Sequence, residues 1–239
     1  MRGIIVILGR RGYGKSTKIR DYLKRIKQRY IIFDTLAEFS DCGMVVYTRA
    51  ELINVIEKRK DTYFQVVFQP IDEEIDSAFD TFLRVCWIVG SVTCVVDEVD
   101  QVSGPTSIPH QLNKSINFGR HRDISFIAAS RRAHAVPRIL TSQADIIVLF
   151  NQREPRDVAY IKDFVGEEIA IRVQSLERYY YITVYENGEF DEPATLHSGV
   201  NEREEDEEET EETENTIPVY EENQESSFLP EGTETGDGF

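Results

Sequence analysis

The 239-residue chain has little of what marks several large protein classes. Its three cysteines, Cys42, Cys86 and Cys94, are odd in number and widely spaced, with no C-x-x-C pair. That pattern excludes a disulfide framework and suggests no cysteine zinc site. The four histidines, His110, His121, His134 and His197, show no ligand spacing and read as ordinary surface or core residues. No apolar run approaches the roughly 18 residues that a membrane-spanning helix needs, and Met1 to Leu8 is too short for a signal peptide. The expectation is a soluble protein of a reducing cytoplasm.

What the chain has in excess is acid, and that excess is local. The formal net charge is −16, yet 20 acidic residues and a single basic one lie from Glu186 onward, leaving 23 acidic and 26 basic residues before it. The first part is therefore mildly basic, and the acidic total does not argue against a nucleic-acid partner. The run Glu202 to Glu214 cannot bury a core, and Ser, Thr, Gly and Pro surround it. The expected organisation is one folded domain over 1–198 and a disordered acidic tail over 199–239. Phe228, Leu229 and Phe239 are large apolar residues late in that tail that could dock onto a partner.

Ile4 to Leu8 is an unbroken apolar run, the pattern of a strand buried on both faces. It leads into Gly9-Arg10-Arg11-Gly12-Tyr13-Gly14-Lys15-Ser16-Thr17, which fits G-x-x-x-x-G-K-[ST], and Lys18 to Lys27 has the apolar spacing of an amphipathic helix. Strand, glycine loop and helix together predict a phosphate-binding loop rather than a chance glycine-rich turn. Gly9, Gly12 and Gly14 let the backbone turn tightly and aim N–H groups at phosphate oxygens, aided by the helix N-terminus. Lys15 supplies charge for the β- and γ-phosphates of ATP, and the Ser16 hydroxyl can ligate Mg²⁺.

Further along, apolar strands are expected at Tyr30–Asp34, Met44–Tyr47, Phe64–Phe68, Thr93–Val96, Ile124–Ala129 and Ile146–Phe150. Helices are expected from the capping box Thr48-Arg49-Ala50-Glu51 to about Lys60, over Ile75–Val89, from Pro109 to Phe118, over Val136–Gln143 and from Glu154 to Val165. The alternation predicts an α/β fold with a mostly parallel sheet and helices on both faces, in which ligands bind at the carboxyl ends of the strands. Asp97-Glu98 closes one apolar strand. Asp97 can hold the hydration shell of Mg²⁺ beside Ser16, and Glu98 can orient and deprotonate an attacking water. On its own this pair reads as a solvated acidic turn; the loop at Gly9 is what gives it meaning. Arg178 to Tyr185 is a strand of high β propensity; its three successive tyrosines could stack on bases, but an edge strand with rings covering the sheet is the expectation.

Gly9 to Ser16, Val95 to Glu98, Gly119-Arg120-His121-Arg122 leading through Ile124 to Ser130-Arg131-Arg132, and Ala144 to Phe150 together resemble the FtsK–HerA group of P-loop ATPases over roughly residues 1–170. Within that group the chain looks most like the genome-packaging ATPases of double-stranded DNA viruses. The resemblance implies a RecA-like core in a homo-oligomeric ring, commonly a hexamer, with double-stranded DNA through its pore. A capsid vertex protein is an implied partner, with a place in the host cytoplasm or at the packaging vertex of the virion. It also implies a sensor at Ser130, where the family usually has Gln, and an arginine finger given in trans, for which Arg120 ranks before Arg122; Arg131 and Arg132 are expected to face phosphate in cis. Two other functions compete. A filamentous-phage-type assembly or secretion ATPase shares the fold but usually carries a membrane span. A small-molecule P-loop kinase does not need a Glu directly after the Mg²⁺ aspartate, so Asp97-Glu98 favours hydrolysis.

Overall fold

The computed structural model describes residues 3–26 and 28–196, so the acidic tail, its boundary at 198 and 199, and His197 lie outside the described residues. The chain divides into Met1–Val200 and Asn201–Phe239, and the first unit holds all the structure described below. Its elements run β1 (Ile4–Leu8), α1 (Lys15–Arg25), β2 (Arg29–Phe33), β3 (Met44–Val46), α2 (Arg49–Arg59), β4 (Gln65–Phe68), α3 (Ile75–Val89), β5 (Val92–Val96), α4 (His110–Phe118), β6 (Ile124–Ser130), α5 (Arg138–Ser142), β7 (Ile146–Phe150), α6 (Pro155–Val165), α7 (Glu167–Ser175), β8 (Tyr180–Tyr185) and β9 (Ala194–Thr195). Among the described residues no helix is long and apolar enough to cross a membrane.

The nine strands form one sheet in the order β3-β4-β2-β5-β6-β1-β7-β8-β9. The seven strands from β3 to β7 in that order pair in parallel; β8 and β9 are antiparallel. The run read as a doubly buried strand, Ile4–Leu8, is buried from Ile5 to Leu8, and every residue of β5 and of β6 is buried too. In register, Leu8 of β1 faces Ser130 of β6, and Val96 of β5 faces Ala128. The strands flanking the phosphate loop thus end at nearly one level.

Helices cover both faces, but unequally. On one face, Val6, Leu8, Ile31, Phe33 and Val96 pack against residues of α2 to α7. Phe33 anchors that side, with the rings of Phe79, Phe82 and Phe68 at 5.1, 5.5 and 5.8 Å, and such aromatic contacts add to the area they bury. On the other face, Ile5, Ile7, Ile32, Val95 and Ile127 are covered by α1, through Ile19, Tyr22 and Leu23, and by Phe39 from the loop after β2. The capping box read at Thr48 is present, with reciprocal bonds between Thr48 and Glu51.

Three elements differ from the sequence reading. Helix α1 starts at Lys15 rather than Lys18, because Gly14 in the left-handed region is already its N-cap. Helix α7 was not expected: Gly166, at φ 94°, ends α6 and begins α7 at once, where a glycine after an amphipathic run reads as a stop. Strand β8 is not a bare edge, since the two-residue β9 pairs with Tyr180 and Tyr181 on its outer side. Its tyrosines are not a row of free rings either: Tyr181 lies 5.5 Å from Phe150 and 3.8 Å from the Lys18 ammonium.

Candidate active site

The site begins where β1 gives out. The Gly9 N–H donates to the Ser130 carbonyl at 3.2 Å and the Arg10 N–H to the Asn151 carbonyl at 3.2 Å, so the loop leaves the sheet held between the ends of β6 and β7. A Cβ on Gly9 would lie 2.4 Å from the Phe150 Cβ, which leaves room only for glycine. Gly12 and Gly14 have φ of 76° and 105°, in the region L side chains avoid. Gly14 offers α1 no side-chain cap, so the first-turn amides keep their capacity to donate. Arg10 and Arg11 are exposed on the loop, Thr17 is exposed on the first turn of α1, and Tyr13 is half-buried, its ring 5.4 Å from the Arg10 guanidinium. Lys15 is buried, its Nζ 3.4 Å from the Arg10 carbonyl.

Asp97 and Glu98, both buried, follow β5. The Glu98 N–H donates to Asp97 Oδ1 at 3.1 Å. Glu98 itself sits at φ 54°, a left-handed conformation that costs a glutamate about 1 kcal/mol or more and clusters at functional sites. Glu98 Oε1 is 3.9 Å from Lys15 Nζ and accepts from Arg131 Nε at 2.6 Å. Burial pushes the Asp97 carboxyl up to about 7, with the adjacent Glu98 charge adding to the rise and Lys15 opposing it. Burial also raises Glu98, against the lowering effect of Lys15 and Arg131. Lys15 is itself held below its usual value by burial, although Glu98, Asp97 and Glu38 all favour its charged form.

This charge balance suits a divalent cation. The carboxylates of Asp97, Glu98 and Glu38 act on a site whose nearby cations are Lys15 and Arg131, and a bound cation would relieve what raises Asp97. Among the described residues no group of three or more His, Cys, Asp or Glu side chains could cage a metal alone. Mg²⁺ does not require one, since it keeps waters and takes phosphate oxygens beside one or two protein ligands. Ser16 Oγ and Asp97 fit that limited role.

Other expected residues are placed less simply. Ser130 is fully buried, and its hydroxyl closes a local turn, donating to the Arg132 carbonyl and accepting from the Arg132 N–H, both at 3.0 Å. Arg131 reaches Glu98, but Arg132 turns to α6, where it pairs with Glu154 and lies 3.7 Å from Asp157. Arg120 and Arg122 occupy a 3-10 turn, Gly119–Arg122, at the amino end of β6. The seven residues of β6 separate them from Ser130 by about 20 Å at ~3.3 Å per residue, so in their own chain they stand at the other end of the sheet from Lys15. The Arg122 guanidinium donates to the Ile88 carbonyl at 3.1 Å and lies 5.7 Å from the Trp87 ring. Among the described residues no hydrogen bond or ion pair engages the exposed Arg120 side chain.

Two residues at the site escaped the sequence reading. Glu38, in the loop after β2, accepts the Ser16 hydroxyl at 2.6 Å. Arg178, before β8, donates from Nε to the Gly12 carbonyl at 2.9 Å and so braces the loop's apex. The signal for Glu38 was faint: a polar Asp34-Thr-Leu-Ala-Glu38 segment directly after a buried strand. Arg178 had none, lying 166 positions from its partner.

The arrangement can hold phosphate on the loop amides and Lys15, and can offer Glu98 as a proton acceptor beside it. No protein-family model matches this chain, and no curated protein matches it in sequence. Solved structures do. The genome packaging NTPase B204 from Sulfolobus turreted icosahedral virus 2, in complex with sulfate, superposes with a TM-score of 0.66 at 22% identity, covering 81% of this chain and 97% of that one. The same protein in complex with ATP-gammaS gives 0.66 at 22% identity, covering 80% and 95%. B204, the DNA-packaging ATPase from Sulfolobus turreted icosahedral virus, gives 0.64 at 25% identity, covering 80% and 98%. The chain thus has the fold of a viral genome packaging NTPase, in line with the resemblance read from its motifs.

Proposed function

We propose that this chain is an ATP-hydrolysing motor that translocates double-stranded DNA, packaging a viral genome into a capsid as a homo-oligomeric ring, with a hexamer favoured. The observation that carries the reading is the juxtaposition at the carboxyl ends of β1 and β5: Lys15 Nζ 3.9 Å from Glu98 Oε1, with Asp97 adjacent. The likeness to B204 over most of both chains supports the choice of motor.

In this reading the loop amides and Lys15 bind the β- and γ-phosphates of ATP. Ser16 and Asp97 would hold Mg²⁺, which when bound would neutralise phosphate charge. Glu98 accepts the proton of the attacking water, and its burial-raised basicity suits that task near neutral pH. Arg131 fixes one carboxylate oxygen of Glu98 and leaves the other for the water. Arg120 serves a neighbouring subunit's site as the finger in trans. The acidic charge of residues 199–239 opposes DNA phosphate, and a capsid vertex protein receives the ring.

The test is ATP hydrolysis by the full chain with Mg²⁺, with and without linear double-stranded DNA. Hydrolysis that rises with DNA is the expected result; absence of hydrolysis overturns the enzyme reading, and hydrolysis indifferent to DNA overturns the translocase reading. A chain ending at residue 199 is expected to keep its fold and basal rate and to bind DNA several-fold tighter at low salt, because a segment this acidic repels phosphate. Unfolding of that shorter chain would remove the tail from this account.

A further inference from the structure

The loop between β2 and β3 is built to hold one carboxylate against the phosphate loop. Asp34, 1% exposed, accepts from the Glu38 N–H at 3.1 Å, the Phe39 N–H at 2.9 Å and Gln69 Nε2 at 2.8 Å. Phe39 is fully buried beneath α1. From α1, Arg20 donates to the Glu38 carbonyl, pairs with Asp41 at 3.1 Å and lies 4.9 Å from the Phe39 ring. Ser16 and Arg20 are one helical turn apart, so one face of α1 grips the loop at two points. Between those grips the Glu38 carboxylate, which solvent could hydrate, instead accepts the Ser16 hydroxyl at 2.6 Å. No ion pair engages Glu38 among the described residues.

The consequence follows from the hydroxyl's inventory. Ser16 has one O–H to donate and two lone pairs. With the proton committed to Glu38, the lone pairs remain for a cation. A Mg²⁺ ion on Ser16 Oγ at about 2.1 Å would lie no more than about 4.7 Å from the Glu38 oxygen, given the 2.6 Å contact. That is within the reach of one metal-bound water.

We infer that Glu38 is a positioning residue for the metal: it orients the Ser16 hydroxyl so that oxygen, not hydrogen, faces the cation, and it receives a water bound to that cation. The inference rests on reading Lys15, Ser16 and Asp97 as a magnesium–nucleotide site. Partners that orient a metal's ligands typically carry a factor of about 10–100 in metal affinity.

The experiment measures the affinity of the full chain for a fluorescent non-hydrolysable ATP analogue, with and without Mg²⁺, in wild type, Glu38→Gln, Ser16→Ala and the double variant. For Glu38→Gln, metal-free affinity should equal or exceed that of wild type, since a negative charge near phosphate is gone. The gain from Mg²⁺ should fall about tenfold. In the Ser16→Ala background Glu38→Gln should lower the gain by less than it does in wild type, and Glu38→Asp in the wild-type background should restore part of the loss. A Mg²⁺ gain in Glu38→Gln equal to wild type overturns the inference while leaving the nucleotide site standing. A loss in metal-free binding as large as the loss with Mg²⁺ also overturns it, because Glu38 would then be shaping the loop rather than serving the metal. A wild type that binds the analogue no tighter with Mg²⁺ overturns the site reading itself.

Discussion

The two ends of the sheet treat charge in opposite ways. At the carboxyl end Lys15, Asp97 and Glu98 are buried, and Arg131 and Lys15 converge on one Glu98 oxygen. At the amino end Arg120, His121 and Arg122 of the basic turn are exposed, with the Arg122 guanidinium tied to the Ile88 carbonyl and the Arg120 side chain tied to nothing among the described residues. Burial removes water from charged groups and lets neighbouring charges act in a low dielectric: the Asp97 carboxyl is pushed up to about 7 first by burial, then by the adjacent Glu98 charge, against Lys15. An exposed cation in water does little for its own fold. Its reach is outward, so the contrast separates an end whose charges face one another from an end whose charge faces solvent. A cavity of about 950 Å³ also opens at the amino end, lined by Gly3, Ser125, Asp145 and Arg120; its volume alone does not make it a chemical site.

The sharpest way to break this comparison is Lys15→Ala. The expected outcome is abolished hydrolysis with weakened nucleotide binding, read by phosphate release and by titration with a labelled nucleotide. Wild-type turnover in that variant would remove the carboxyl end from the chemistry. Arg120→Ala comes next. Nucleotide binding should stay near wild type while hydrolysis falls about 10³-fold or more, as loss of a finger's charge does. Mixing Arg120→Ala with Glu98→Gln subunits tells cis from trans: some interfaces then pair an intact Glu98 with an intact Arg120, and mixed rings regain activity. Rings shown to be mixed that stay silent would count against Arg120 acting across an interface.

Much of the carboxyl end was legible in the sequence because its parts are local. A strand, a glycine loop and a helix are contiguous from Ile4 to Arg25, and Asp97-Glu98 directly follows an apolar run. What was not legible depends on contacts between distant segments. Glu38 meets Ser16 across 22 positions, and Arg178 meets Gly12 across 166. Ser130 illustrates a different limit. Its place at the end of β6 was clear, but a serine hydroxyl can close its own turn, and here it does so with Arg132. The uneven covering of the sheet was hidden for a similar reason. Strands buried on both faces read alike whether one helix or six lie above them, so α1 alone on one face could not be read from periodicity.

Glu98→Gln probes the buried end more gently. The amide keeps the shape and can still accept from Arg131, but it cannot take a proton. ATP should bind as in wild type, and hydrolysis should fall by about 10²–10⁴-fold. An unchanged single-turnover rate would move the base elsewhere, and Glu38, a further carboxylate acting on Lys15 beside Asp97, would be the next residue to substitute.

The smallest expected effect tests whether the amino end's two arginines differ as their surroundings do. Arg122 and Arg120 share one turn, two positions apart, and sequence reasoning made both finger candidates. Arg122 has a task within its own chain: its guanidinium donates to the Ile88 carbonyl at 3.1 Å and lies 5.7 Å from Trp87, and its own carbonyl accepts the Ser91 N–H at 2.7 Å. Replacing it with alanine leaves the backbone bond but removes the tie to the end of α3. One exposed hydrogen bond of this kind contributes about 1 kcal/mol, which in a folded unit of this size moves the melting temperature by roughly 2–4 °C. Hydrolysis per folded ring should change less than threefold. Thermal unfolding and ATPase rates of Arg122→Ala beside Arg120→Ala decide it. If Arg122→Ala melts as wild type does and loses activity as deeply as Arg120→Ala, the held arginine is the one that works across the interface, and the free guanidinium of Arg120 is only a solvated charge.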